Sequence, residues 1–431
     1  MERIQPAIGL LVMIGLLYAF STNRRAIRWR VVVWGMGLQI AFALVVLKTG
    51  AGERVFNAIN DGFLKVMDAS GKGAAFVFGP TALDDYVPVG ATKDGVFQQE
   101  KLLVAWTGYN FAFRVLPTII FFSALMAIGY HLGIMQLVVR AFARVMAWSM
   151  GTSGAETMAS AANIFVGQTE APLMVRPYVN RMTNSELLTI MVGGFANTAG
   201  GVMMAYISML QHLVPNIGAH LLTSSILTGP ASLMMAKLAM PETEESLTAG
   251  DLKIDLPKVD TNIVDAAARG TTEGLSLALN VGAMLITFIA VVALVDYGLA
   301  AISTYIFHAA TPWSLALIFG KVLWPVAWLL GVPPKDCTAV GQLLGTKTFL
   351  NEFVAYVDLA HMQGLQPRSS LIASYALCGF ANIASIGIQI GGIGAMAPER
   401  RHDLARLGFK AMIVGSMATF SAACVVAILT K

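Results

Sequence analysis

Gly345–Tyr356 reads GTKTFLNEFVAY and sets Lys347, Asn351 and Glu352 in a strongly apolar neighbourhood. Leu343 and Leu344 precede it and Val354–Tyr356 close it, in a chain where only 13% of residues are charged. A carboxylate at the centre of a bilayer costs roughly 3 kcal/mol or more, so it faces a cavity, a partner or a ligand rather than lipid. Packing alone does not justify that cost. Glu352 is therefore the first candidate for a ligand-binding group.

The surrounding composition agrees with a bilayer. The chain has 431 residues, 56% of them hydrophobic, and a mean hydropathy of +0.68. A soluble protein carries about a quarter charged residues. Half that fraction, with repeated apolar runs, indicates a polytopic membrane protein. The net charge is +4, and the basic residues gather at the edges of apolar runs with no aromatic interleaving. They read as topology signals, so the expected partner is the lipid bilayer and not a nucleic acid. Cys337, Cys378 and Cys424 have neither metal-ligand spacing nor pairing logic and read as small buried apolar residues. No cofactor is expected.

Ile8–Phe20 is followed, not preceded, by Arg24, Arg25, Arg28 and Arg30, unlike a cleavable signal. The positive-inside rule then places the N-terminus outside. Val31–Leu47 returns outward; 49–100, with turns at Gly79-Pro80 and Asp84-Asp85, reads as short amphipathic helices and loop. Leu102–Ile128 crosses inward, interrupted by Arg114 and Pro117, and Arg140 and Arg144 follow on an interfacial helix. Gly151–Tyr178 is too broken for one span and too apolar for a soluble loop. It fits a re-entrant hairpin with its tip at Gly167–Glu170, because non-helical backbone at membrane depth needs protein or a wet cavity to satisfy it.

Leu187–Leu210 crosses outward, broken at Gly193-Gly194 and Gly200-Gly201, and Leu221–Met240 comes back. Residues 241–270 form the most charged segment, with Glu242, Glu244, Glu245, Asp251, Lys253, Asp255, Lys258 and Arg269 among its charges, and read as a cytoplasmic connector. Leu275–Leu299 is the sixth span, Trp313–Leu330 an interfacial helix, and Pro333–Asp358 a second broken hairpin. Leu371–Ile393 then meets the basic loop Arg400, Arg401, Arg406, Lys410, and Ala411–Leu429 ends the chain outside. The expectation is an all-α fold of eight transmembrane helices plus two opposed re-entrant hairpins. Its domains would be 1–134 (N-terminal helices), 135–240 (first repeat), 241–303 (connector and sixth span) and 304–431 (second repeat).

The two halves echo each other. Gly194-Phe-Ala-Asn197-Thr-Ala199 recurs as Gly379-Phe-Ala-Asn382-Ile-Ala384, an offset of 185, each soon after a hairpin acid, Glu170 or Glu352. Opposite topologies make the repeats inverted. Inverted repeats with broken helices mark secondary transporters that bind substrate at the midplane.

With these motifs in hand, the chain resembles the concentrative nucleoside transporter family, as a bacterial member. Gly345–Tyr356 matches the family signature Gly-x-Lys-x3-Asn-Glu-Phe-Val-Ala-(Tyr/Met/Phe) throughout, and Asn163-Ile-Phe-Val-Gly-Gln-Thr-Glu170 and Gly379-Phe-Ala-Asn382 are further hallmarks. The resemblance runs from about Gly79 to the C-terminus. It implies a homotrimer in the cell's inner (plasma) membrane, with early spans and the sixth as scaffold and the hairpins with spans four, five, seven and eight as a mobile transport domain. The implied activity is Na+/nucleoside symport by an elevator motion, with uridine, cytidine or adenosine as substrates.

Residue by residue, the resemblance gives Glu352 the ribose hydroxyls, unless it only pairs with Lys347. Asn382 and Ser385 would hold the same ribose, or Asn382 would only satisfy a broken helix. Gln168, Thr169 and Glu170 would face the nucleobase, or cap the hairpin helices; Phe380 and Val202 would pack on the base. Lys347 and Asn351 are supporting residues. Sodium would bind at Asn163, Val166, Asn197 and Thr198, although a small residue or serine usually stands where Asn197 does. Some relatives use protons, and Glu170 would then be the carrier.

An intramembrane enzyme would need a nucleophile and base in reach or a metal cluster. The six histidines (His131, His212, His220, His308, His361, His402) are scattered without ligand spacing, and no phosphate-cradling motif appears. A channel would not need two acid-bearing broken hairpins. A transporter of another polar solute stays open, and saturable, gradient-driven uptake separates these readings.

Overall fold

The computed structural model describes residues 3–79, 86–93, 96–106, 111–248, 260–309 and 311–430. Part of the expected connector, 249–259, lies outside the described residues. The chain opens with α1 (Ile4–Ala19) and α2 (Trp29–Lys48), both apolar, joined by a 3-10 turn at Arg24–Ala26. The expectation of short helices and loop over 49–100 is corrected: α3 (Gly50–Phe78) is one amphipathic helix of 29 residues. Thr49 caps it by accepting from Gly52 N–H at 2.9 Å, and Gly79 ends it at φ 77°. The polar run that suggested breaks is an exposed face, where Lys72 pairs with Asp68 one turn earlier.

An antiparallel hairpin follows, β1 (Tyr86–Lys93) with β2 (Val96–Trp106). Apart from this hairpin, the described elements are helices, as expected. β2 also takes up Leu102–Trp106, so the next span starts nine residues later than expected, as α4 (Phe111–His131). α5 (Ile134–Met150) runs on to Gly151. Arg30 is tied to that end, donating to Trp148 O at 2.6 Å and Ser149 O at 2.8 Å.

The first broken segment holds α6 (Gly154–Ala162), a turn, a 3-10 stretch (Ala171–Val175) and α7 (Arg176–Val179). α8 (Asn184–Ala196) starts with a capping box: Thr183 Oγ1 accepts from Glu186 N–H at 3.1 Å, and Glu186 Oε2 accepts from Thr183 N–H at 3.0 Å. The span then breaks at Asn197–Ala199, not at the glycine pairs, and resumes as α9 (Gly200–Leu210). Gly194 lies inside α8 because a Cβ there would stand 2.7 Å from Gln389 Nε2. α10 (Ile217–Ala239) completes the half.

α11 (Ile263–Ala301) begins inside the expected connector and ends in a π turn, Ile302–Ile306. Gly270 and Gly274 lay it directly on α4: added Cβ atoms would come within 2.7 Å of Ala127 Cβ and 2.8 Å of Ile120 Cα. That is small-residue packing between membrane helices. The expected interfacial helix is two short ones, α12 (Leu315–Val322) and α13 (Trp324–Leu329), split before Pro325.

The second broken segment is α14 (Cys337–Phe349) and α15 (Glu352–His361). The seventh expected span is again two half-helices, α16 (Pro367–Leu377) and α17 (Ile383–Met396). α18 (Arg401–Leu429) absorbs most of the expected basic loop into its first turns.

The two broken spans meet at their breaks. Phe380 N–H donates to Asn197 O at 3.3 Å, and Thr198 Oγ1 lies 3.5 Å from Cys378 Sγ. Gly379 (φ 146°) passes so close that a Cβ would be 2.7 Å from Ala196 O. Only glycine tolerates that backbone and that approach. α8 and α9 are the centre of the molecule, with 89% of their apolar window buried, against 11% for α11. Among the described residues, five helices are long and apolar enough to cross a membrane, and α1 and α17 are shorter apolar helices. The molecule is a multi-pass membrane protein.

Candidate functional site

Glu352 is the first residue of α15 and 5% exposed. Asn351 caps that helix, its Oδ1 accepting from Val354 N–H at 2.9 Å. The carboxylate thus sits on a helix N-terminus, where the peptide dipoles favour negative charge. Tyr206 OH donates to Oε1 at 3.0 Å and Asn382 Nδ2 to Oε2 at 3.0 Å. A carboxylate has about four acceptor sites, so these two side-chain donors leave room for a ligand. No ion pair with Lys347 forms: the Lys347 ammonium donates instead to Ala376 O at 2.8 Å.

Asn382 works at both ends. While Nδ2 holds Glu352, Oδ1 caps α17 by accepting from Ser385 N–H at 2.8 Å. Ser385 Oγ accepts from Gln168 Nε2 at 3.2 Å, and Gln168 Oε1 accepts from Gln389 Nε2 at 3.1 Å. Gln168 is therefore no helix cap; it bridges the first broken segment to the second half. Gln389 Nε2 also reaches Met191 O at 3.1 Å.

Gln168, Thr169, Glu170, Val202, Glu352, Phe380, Asn382 and Ser385 all line one cavity of about 200 Å³. Asn351 lines it too, and Leu277, Val281 and Leu285 of α11 form an apolar wall opposite. The combination of one carboxylate, amides, a hydroxyl and flat apolar surfaces suits a small ligand that is polar at one end and planar at the other. Sequence reading missed Tyr206, Gln389 and the α11 wall. Tyr206 lies one turn after Val202 and Gln389 one turn after Ser385, so helical spacing carried a signal for both. The α11 wall left none, since Leu and Val in a span look alike on every face.

Asn163 and Asn197 converge on Gly193. Asn163 is 0% exposed, and neither its Oδ1 nor its Nδ2 is hydrogen-bonded by a protein group. Its Nδ2 lies 3.0 Å from where a Gly193 Cβ would stand, and Asn197 Nδ2 donates to Gly193 O at 3.1 Å. Asn197 Oδ1 accepts from Thr228 Oγ1 at 2.5 Å, a partner the sequence did not suggest. Phe165 O accepts from Gly200 N–H at 3.2 Å and holds the turn containing Val166 against the break. Thr198 is turned towards Cys378. A wholly buried amide without a protein partner beside broken-helix carbonyls has the donor chemistry for a small hard cation.

A larger cavity, about 370 Å³, lies beside Glu156, Lys237 and Glu242. Its charges answer one another: Lys237 Nζ is 2.8 Å from Glu156 Oε2 and 3.1 Å from Glu242 Oε2. Ser246 and Thr248 also hydrogen-bond Glu186. This cluster fastens the connector to α6, α8 and α10.

Comparison with known proteins matches three family descriptions: Na+ dependent nucleoside transporter N-terminus over residues 8–81, nucleoside recognition over 112–213, and Na+ dependent nucleoside transporter C-terminus over 220–427. An uncharacterized transporter of Haemophilus influenzae is 40% identical, covering 99% of this chain and 97% of its own. Sodium/nucleoside cotransporter 1 of Mus musculus is 37% identical over 99% of this chain, which spans 64% of that protein. Among solved structures, CNTnw in an inward-facing substrate-bound state is 36% identical, with a TM-score of 0.87 over 100% of this chain and 98% of that one. Other CNTnw structures are described as outward-facing and intermediate states.

Proposed function

The chain belongs to the concentrative, Na+-dependent nucleoside transporter family, and from this we propose that it is a cation-coupled nucleoside symporter of the cell's inner (plasma) membrane. One observation carries the reading: residues from both halves meet in one cavity around a buried carboxylate that lines it. Glu352 accepts from the vicinal ribose hydroxyls, and Asn382 and Ser385 hold the same sugar. Gln168, Thr169 and Glu170 address the base edge, Glu170 directly or through water, while Phe380 and Val202 pack on the base face. A site built to satisfy hydroxyls rejects analogues that lack them, because its own buried acceptors are then left unpaired.

Sodium, as co-transported substrate, binds at Asn163, Val166, Asn197 and Thr198, with Thr228 orienting Asn197. The wholly buried, unpartnered Asn163 amide supports this. Proton coupling is the second reading, favoured by the exposed Glu170 carboxylate at the cavity. The α4–α11 pair belongs to the scaffold and the broken segments to a transport domain that moves elevator-fashion within a homotrimer. Eight spans, two re-entrant hairpins of opposite topology and outside termini complete the scheme, within the domain limits 1–134, 135–240, 241–303 and 304–431. The scheme is supported by relatives described in several facing states.

The test is competition against radiolabelled uridine uptake. Uridine, cytidine or adenosine should compete, and 2′,3′-dideoxyuridine should be weaker by about 100-fold. Equal competition by the dideoxy compound would overturn the role of Glu352.

A further inference from the structure

Lys347 and Asn163 hold matching places in the two hairpins. Just past α6, Val166 N–H donates to Ala162 O (3.0 Å), and at the end of α14 Leu350 N–H donates to Thr346 O (2.9 Å), an offset of 184 residues. Asn163 and Lys347 each follow the acceptor by one residue, and Phe165 and Phe349 follow them at the same spacing. Both are buried, Asn163 at 0% and Lys347 at 1% exposure.

Their side chains reach the same part of the equivalent broken spans. Asn163 lies against Gly193, one residue before the first Gly-Phe-Ala-Asn. Lys347 Nζ donates to Ala376 O, three residues before the second, in the last turn of α16. Glu352 attracts it from beyond ion-pair distance, its oxygens being hydrogen-bonded by Tyr206 and Asn382. The ammonium therefore faces the Ala376 carbonyl at the negative end of a half-helix, with the Phe420 ring 5.8 Å away, and such helix ends are where transporters coordinate their coupling cations.

We propose that Lys347 is a tethered cation: it fills, in the second repeat, the place that the mobile coupling ion takes in the first. The proposal rests on the reading that sodium binds at Asn163. The first repeat presents a short neutral amide and must recruit a cation; the second carries its own. Lys347 is thus a positioning residue. It steadies the turn from Ala376 to Asn382, and through Asn382 it holds Glu352 in place before any ion binds. One cation then moves with each nucleoside.

The test uses the purified full-length protein, its thermal midpoint read in sodium chloride and in equimolar choline chloride. Sodium should raise the midpoint of the unaltered protein, and Asn163→Ala should remove that rise. Adding Lys347→Asn to Asn163→Ala should restore a sodium-dependent rise of similar size, whereas adding Lys347→Met should not. A folded Asn163→Ala/Lys347→Asn protein with no sodium response would overturn the proposal. Should that variant not fold, the flux ratio of ²²Na+ to uridine in unaltered proteoliposomes decides: one supports the tethered cation and two overturns it. If the unaltered protein ignores sodium while Lys347→Asn gains a response, the Asn163 site fails and the tethered cation stands.

Discussion

Glu352 carries a buried charge with one donor on each oxygen, so the cost of changing it falls on the ligand rather than on the fold. Glu352→Gln keeps the shape and retains an oxygen for Asn382 but loses the charge and an acceptor. Uptake should fall by about 100-fold or more in kcat/KM, with the thermal midpoint little changed. Tyr206→Phe removes a hydroxyl donor from a carboxylate, and about a tenfold loss is expected in the same assay. An unchanged KM and kcat in Tyr206→Phe would remove that hydroxyl from the site. The carboxylate was legible in the sequence because a charge in an apolar stretch has few benign explanations. Thr228 was not, because it matters through Asn197, 31 residues away, and the spacing that put Tyr206 and Gln389 one turn from site residues did not name their partners, 146 and 221 residues away.

Among the elements, the breaks decide most. Sequence reading found both broken segments by their polar tips and expected a broken span after each, yet put the break of the first of these spans at glycine pairs. The actual breaks fall at Asn197–Ala199 and Cys378–Asn382, where two chains cross and supply each other's hydrogen bonds. That mutual satisfaction is a tertiary fact with no local signature. Gly379→Ala should lower stability by about 1–3 kcal/mol, since its φ and its 2.7 Å approach to Ala196 O both exclude a side chain. Thermal unfolding of the purified protein checks this, and an unchanged midpoint would contradict it. At the foot of α11, Arg269 donates to Asp260 at 2.6 and 2.9 Å and holds its carboxyl below the usual 3.8. A depressed carboxylate pKa stabilises the fold above the unfolded value and loses that contribution as pH falls through the folded one. This pair should therefore stay constant above pH about 5, so any change of uptake between pH about 5 and 8 must come from other groups. Uptake measured across that range in Asp260→Asn should follow the parent's pH profile.

For the whole molecule, the contrast between a buried α8–α9 centre and an α11 with 11% of its window covered matters most. Helices α4 and α11 present apolar surface that lipid or other copies of the chain must cover. Native mass measurement in detergent should find three protomers of 45.9 kDa; a monomer would contradict the proposed assembly. Membrane character and the number of broken segments were readable from hydropathy, whereas the long α3 and the β-hairpin were not, since an exposed polar helix face and a loop have the same composition. The most direct measurement is radiolabelled uridine uptake into proteoliposomes, driven by an inward sodium gradient and then by a proton gradient without sodium, with Glu352→Gln in both arms. The account predicts saturable, sodium-driven accumulation that Glu352→Gln abolishes. Proton-driven uptake alone would remove the sodium site, and no saturable nucleoside uptake in either gradient would contradict the symporter itself.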